Sequence, residues 1–385
     1  MATTPRDPAP IVKRAVDLAA RCPISRSLST LDTLRYQGRA APRSAARLAW
    51  VLLLSGLLSC ARPPQVPLSP ETHEPALDTS HAVMADGYVL PLQWWQPPDP
   101  PRAVVLALHG FNDYRDSFTA VGPYLALHGI ATYAYDQRGF GTTAHRGLWA
   151  GTEPLARDAA ELSRLLRREY PGLPVYLLGE SMGGAVAIAC VTGTYQAAVD
   201  GVVLIAPAVW GRKMMNPFIR GSLWLLLRTW PSLQLTGRAL KIRASSNDDA
   251  LWRLSRDPLV IKATRVDAVA GLVDLMDTAL GALPRLKLPS LILYGAHDQL
   301  IPQRSFDTLV ELLPRRPQAR WRAALYPEGY HMLTRDLGAE VVLRDIVTWV
   351  FDHQAALPSG SEWWDGPREP LRLAGPPPRG AALSK

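Results

Sequence analysis

The sequence predicts an α/β fold: a mostly parallel sheet flanked by helices, with a helical cap inserted late in the chain. Three observations predict it. Short continuous apolar runs recur as "AVVLALHG", "GIATYAYD", "PVYLLGES", "GVVLIAPA" and "LPSLILYGAHD". Runs without alternation belong to strands covered on both faces, as in a parallel sheet between helices. Helical patterns separate them, clearest from Leu155 to Tyr170, where Leu162, Leu165 and Leu166 share a face. Between about Trp210 and Leu286 the strand–helix alternation breaks into irregular helical sequence, with apolar residues such as Met214, Met215, Phe218, Leu223, Trp224 and Trp230. A chain of 385 residues, 48% hydrophobic, has ample length for a sizeable core.

From the N-terminus, "RLAWVLLLSGLLSCARPP" opens on Arg47 and runs apolar from Leu48 to Leu58, 11 residues. That is too short to span a bilayer and suits the core of a signal peptide. It ends in Leu57-Leu58-Ser59-Cys60, which resembles the bacterial lipoprotein cleavage box. The resemblance implies that Cys60 is lipidated and becomes the mature N-terminus. Two acyl chains there would give a stable membrane anchor in the cell envelope, and Ala61 in place of Asp implies export onward to the outer membrane. A plain anchor or core helix with an unrelated cysteine is the competing reading. Residues 1–59 are therefore set aside as a leader, and the Pro-, Ser- and Thr-rich stretch 60–78 reads as a tether. The main domain is expected at 79–355, opening with an antiparallel hairpin around "ADG", with the cap at about 208–286. Residues 356–385 read as a disordered Pro-rich tail.

Charge excludes one class of function. The formal net charge is +8, but the first 59 residues hold nine Arg or Lys and three Asp, or +6, which leaves only +2 for the rest. No basic stripe marks the main domain, so a nucleic-acid partner is not expected. The three cysteines, Cys22, Cys60 and Cys190, form no C-x-x-C pair and no zinc-type cluster. Neither a metal nor an organic cofactor is expected. Cys190 lies in an apolar helical pattern and reads as a small buried residue.

The chemistry is concentrated in "VYLLGESMGGAVAIAC", where a strand meets Gly179-Glu180-Ser181-Met182-Gly183 and then a helix. This is the strand–turn–helix context that G-x-S-x-G requires: a tight turn lifts the serine hydroxyl clear of the sheet. Serine is a poor nucleophile unless a base takes its proton and a carboxylate orients that base. Asp298, in "LILYGAHDQLIP", lies just past a strand end, and His331, in "LYPEGYHML", lies in a loop before the last helix. The order Ser181, Asp298, His331 is that of a nucleophile–carboxylate–base set on an open parallel sheet. An oxyanion would be met by the backbone N–H groups of Phe111, after His109-Gly110, and of Met182. His109 is a rival base by residue type and is expected to pack beneath the oxyanion loop.

From about His81 to His353 the chain resembles the α/β-hydrolase superfamily, nearest the monoacylglycerol lipase and lysophospholipase group with its serine aminopeptidase-like members. The blocks that carry the resemblance are "HGFNDYRDSF", "YDQRGFGTTAHRG", "GESMGGAVA", "SRDPLVIKATRV", "YGAHDQLIP" and "YPEGYHML". It implies the α/β-hydrolase fold and the Ser181–Asp298–His331 triad, and it makes Asp136 and Arg138 architecture of a structural turn. An apolar cap fits single-chain lipid esters or smaller carboxylic esters, with Arg212, Lys213 and Arg220 as candidates for a headgroup. Two other readings stay open: a peptidase, for which Asp248 and Asp249 would have to clamp an α-amino group, and a non-catalytic binding lipoprotein.

Overall fold

The computed structural model describes residues 64–237, 242–314 and 320–363, all within the compact unit Arg62–Lys385. Residues 1–63, which include the expected leader 1–59, Cys22 and Cys60, and residues 364–385 lie outside the described residues.

Ten strands form one sheet: β1 (Ala76–Leu77), β2 (His81–Val83), β3 (Val89–Trp95), β4 (Ala103–Leu108), β5 (Ile130–Tyr135), β6 (Val175–Glu180), β7 (Gly201–Ile205), β10 (Ser290–Gly295), β11 (Trp321–Tyr326) and β12 (Glu362–Trp363). Their spatial order is β1-β2-β3-β5-β4-β6-β7-β10-β11-β12. The six strands from β5 to β11 are parallel, and β1, β2, β3 and β12 add antiparallel edges. The expected hairpin is β2–β3, closed where Gly87 N–H donates to Met84 O. A separate pair, β8 (Gln234–Thr236) with β9 (Ala263–Arg265), lies in the cap region.

The strand sequences explain the layers. Val104, Leu106 and Leu108 of β4 enter one core, and Ala103, Val105 and Ala107 enter the other. The first core is covered by α2 (Thr152–Glu169), α3 (Met182–Thr192), α6 (Val266–Ala282) and α7 (Gln303–Leu312), the second by α1 (Val121–Leu127) and α8 (Ala339–Phe351). Because side chains alternate along a strand, a strand between two such cores must be apolar at every position. The helix α3 is buried along Met182–Cys190, as expected of a helix that is apolar all round. Cys190 is among those residues, and burial pushes its thiol up to about 12, so it stays protonated.

Three expectations need correction. The cap is narrower than 208–286: α6 is mostly buried and packs against α3, so the inserted part ends near Arg265. A buried core helix and a cap helix carry the same apolar pattern, and only the partner distinguishes them. The presumed tether lies against the domain instead: Val66 is buried and its N–H donates to Trp149 O at 3.1 Å, and β1 pairs with β2. An unpaired strand edge recruits a neighbouring chain even without strong strand-forming residues. At the other end, residues 356–363 are not a loose tail: Leu357 is buried, β12 pairs with β11, and the Trp363 ring meets Phe306 edge-on.

Arg138 is architectural. Its guanidinium is fully buried and donates to Asp86 at 2.5 and 2.8 Å and to Asp158 at 2.6 and 2.7 Å. Asp136, also buried, accepts from the N–H of Arg115 at 3.0 Å and of Thr142 at 2.8 Å. No helix among the described residues is long and apolar enough to cross a membrane.

Candidate active site

The strand order reverses beside β4: β5 lies on one side and β6 on the other. Ligands of open parallel sheets bind in the crevice outside the carboxyl ends at such a switch point. The loop after β4 and the turn after β6 flank it.

Ser181 occupies that turn with φ 53° and ψ −114°, a left-handed conformation that non-glycine residues adopt only under local constraint. The constraint is visible. Ser181 N–H donates to Ile205 O at 2.9 Å, and Ser181 O accepts from Gly184 N–H and Ala208 N–H at 3.0 and 2.9 Å. A Cβ on Gly183 would lie 2.0 Å from Leu108 O, and one on Gly179 would lie 2.4 Å from Gly183 O. The glycines let α3 approach β4 and β6 more closely than a side chain permits. Ser181 stays partly exposed while Met182 is buried.

The loop after β4 comes to the serine: a Cβ on Gly110 would lie 3.5 Å from Ser181 Cβ. His109 beneath it is fully buried, with Nε2 accepting from Gln137 N–H at 3.0 Å and Nδ1 donating to Gly110 O at 2.8 Å. Both ring nitrogens are thus engaged, and burial lowers the pKa of the imidazole. His109 is a neutral structural residue rather than a base. Because a peptide is planar with C=O and N–H opposed, holding Gly110 O against His109 turns the Phe111 N–H the other way. Neither that N–H nor the N–H of Met182, at the first helical position of α3, meets an acceptor among the described residues. The first turn of a helix leaves such donors free.

Asp298 follows β10. Its Oδ1 accepts from the N–H groups of Leu300 and Ile301 at 2.8 and 2.9 Å, and its Oδ2 accepts from His331 Nδ1 at 2.7 Å. The carboxylate therefore shapes its turn and orients the histidine at once. The two loops dock where Gly295 meets Gly329, with His297 N–H donating to Gly329 O at 2.8 Å. His331 is buried. Burial alone would lower its pKa, but the charge and hydrogen bond of Asp298, with Glu180, outweigh burial and Arg335 and raise it. With Nδ1 donating, Nε2 is the free basic nitrogen. The Asp298–His331 contact is formed, whereas neither Ser181 Oγ nor His331 Nε2 has a hydrogen-bond partner among the described residues. In serine hydrolases in general, the contact between nucleophile and base commonly tightens only when substrate is present.

Three residues not singled out in the sequence join the site. Arg335, four positions after His331, donates through Nη1 to Asp113 at 2.7 Å and through Nη2 to Glu180 at 2.9 Å. The only sequence signal was a charge in the loop after β4, at the end of β6 and in the His331 segment. The other candidates fare differently. Arg212 is held by Asp277 at 2.5 Å and by Asp274, while Lys213 and Arg220 are exposed. Asp248 and Asp249 stand in the exposed first turn of α5 (Asp248–Arg256), with Asp248 paired to Arg243 at 2.7 Å. One face of α4 (Pro217–Thr229) turns outward, with Phe218 82% and Trp224 56% exposed, while Leu223 packs against the core. On the inner side, the loop after β4 is tied to the cap by Asn112 Nδ2 donating to Thr264 Oγ1 at 2.6 Å and Tyr114 OH donating to Asp257 at 2.7 Å.

The profile of the family described as "Serine aminopeptidase, S33" matches residues 99–338, well over half of the chain. The monoglyceride lipase of Mus musculus is 30% identical over 297 residues, covering 74% of this chain and 94% of that protein. A monoacylglycerol lipase of Mycolicibacterium smegmatis is 26% identical over 271 residues, covering 67% and 91%. Among solved structures, the monoacylglycerol lipase of Paleococcus ferrophilus is similar with a TM-score of 0.57 at 24% identity, covering 69% of this chain and 99% of that one. That likeness shows the α/β-hydrolase fold.

Proposed function

The chain belongs to the serine aminopeptidase family of α/β hydrolases, and from that premise we propose that it is a membrane-tethered serine ester hydrolase acting on single-chain lipid esters. Ser181 Oγ attacks the ester carbonyl as His331 Nε2 takes its proton. Asp298 holds the imidazole by Nδ1 and stabilises the imidazolium. The N–H groups of Phe111 and Met182 receive the oxyanion. His331 returns the proton to the leaving alcohol, which departs as the acyl–Ser181 ester forms, and water activated by the same imidazole then releases the fatty acid. The observation that carries this reading is the strained Ser181 turn beside two unengaged N–H groups, on the sheet edge that also holds the Asp298–His331 pair.

The substrate class is supported by the relatives, monoglyceride and monoacylglycerol lipases by name, and by the outward apolar face of α4. Phe218, Trp224 and Leu225 beside Arg220 and Arg228 suit the interface of a lipid aggregate, where such substrates reside. Cys60 supplies the tether. A labelled fatty acid should be incorporated into the whole chain and lost in Cys60→Ser; label retained in that variant would refute the anchor.

The test of the activity is a panel of monoacylglycerols, lysophospholipids, p-nitrophenyl esters of graded chain length and aminoacyl amides. Esters alone should turn over, faster as the chain lengthens from acetate. A preference for amides would replace the ester reading with a peptidase. The imidazole must be neutral to accept a proton, and its pKa is raised, so kcat/KM should fall on the acidic side with a midpoint above the ordinary histidine value of about 6.5.

A further inference from the structure

The chemistry proposed above needs three separate segments in register: the Phe111 loop after β4, the Ser181 turn after β6 and the His331 loop after β11. One side chain touches all three. Arg335 belongs to the His331 segment, in the short 3₁₀ turn Leu333–Arg335. Its Nη1 reaches Asp113, two residues beyond Phe111, and its Nη2 reaches Glu180, the residue immediately before Ser181. Both carboxylates are buried, and the guanidinium is largely so. A planar fork of donors binds two carboxylates at fixed angles, which a lysine cannot do.

We propose that Arg335 is a positioning residue, whose guanidinium holds the Ser181 turn through Glu180 and the Phe111 loop through Asp113 in register with His331. The clamp rests on the ester-hydrolase reading, and it deepens it by naming what aligns the site.

Two features point to more than packing. Glu180 Oε2 and Arg335 Nε are buried without a hydrogen-bond partner among the described residues, so the pairing is not saturated. Such unsatisfied groups persist where the surrounding structure needs them. The charges also face the histidine. Around His331 stand Asp298 from the loop after β10, Glu180 from the end of β6 and Arg335 from its own segment; the two carboxylates favour the imidazolium and the guanidinium opposes it. As His331 takes the serine proton, the carboxylates meet the new positive charge.

The experiment compares wild type with Arg335→Lys and Glu180→Gln. A fluorophosphonate counts the labelled serine in each preparation, and kcat is expressed per labelled site. Failure of wild type to label at Ser181 would strike the ester-hydrolase reading itself, separately from the clamp. In Arg335→Lys the charge stays but the fork is lost: kcat per labelled site should fall roughly 10- to 100-fold with KM within about twofold, as expected for misplacement on the order of an ångström. In Glu180→Gln the amide oxygen still accepts from Arg335, but the charge beside His331 is gone. The acidic limb of kcat/KM should move to lower pH by about half a unit or more. Wild-type kcat per labelled site with an unmoved limb in both variants, or a loss confined to the labelled fraction, would overturn the proposal.

Discussion

Ser181→Ala should lower turnover of a long-chain monoacylglycerol by roughly 10⁶-fold, close to the loss seen when a serine hydrolase gives up its nucleophile. A residual rate above water is expected, because the Phe111 and Met182 N–H groups and the bound acyl chain still favour the tetrahedral species. The fold should survive. The turn is held by backbone hydrogen bonds at Ser181 N–H and O, and an alanine at φ 53° carries the same steric cost as the serine. Thermal midpoints of the two proteins should therefore nearly coincide, while product formation, followed by fatty-acid release, separates them. A variant that is inactive because it is unfolded would show itself in the melt, and one that hydrolyses at the wild-type rate would move the nucleophile elsewhere.

Arg138→Met should destabilise the protein by about 3–5 kcal/mol, the usual cost of removing one partner from a buried ion pair. The guanidinium has no exposure, and four hydrogen bonds tie it to Asp86 and Asp158. Without it two buried carboxylates face each other, with Glu161 also acting on Asp158. Asp158 already stands at about 7, pushed up by burial despite Arg138. A carboxylate raised in the folded state stabilises at low pH and loses that contribution as pH climbs through its folded value. The deficit of the variant should therefore shrink as pH falls toward about 5 and widen above 7. A Tm fall of roughly 10 °C at neutral pH is expected, read by calorimetry across that range. A fall of a degree or less would mean that the pair is better hydrated than its burial implies.

The parts legible in the sequence were those whose physics is local. A strand packed on both faces must be apolar at every position, so β4, β5, β6, β7 and β10 stand out as continuous runs. The turn at Ser181 is legible because close approach of α3 to β4 tolerates no side chain at position 183, and glycine there is a visible mark. Asp298 and His331 are legible as loop residues just past strand ends. What was not legible depends on partners. Arg335 finds Asp113 and Glu180 from 222 and 155 residues away, and nothing in "HMLTRD" names them. The helix α6 reads as cap until its contact with α3 is seen. β1 and β12 are two residues each, too short for a pattern, and exist because an edge strand offers them free backbone groups. The exposure of Phe218 and Trp224 suits the irregular apolar sequence they stand in.

The central claim is that the hydroxyl of Ser181 is the group that forms the covalent intermediate. The direct measurement is mass spectrometry of peptides from protein treated with a lipid-like fluorophosphonate, with and without competing monoacylglycerol. The adduct is predicted on the peptide carrying Ser181 alone, reduced by the competitor, and absent from Ser181→Ala. An adduct on another residue, or continued ester turnover by protein fully modified at Ser181, would contradict it.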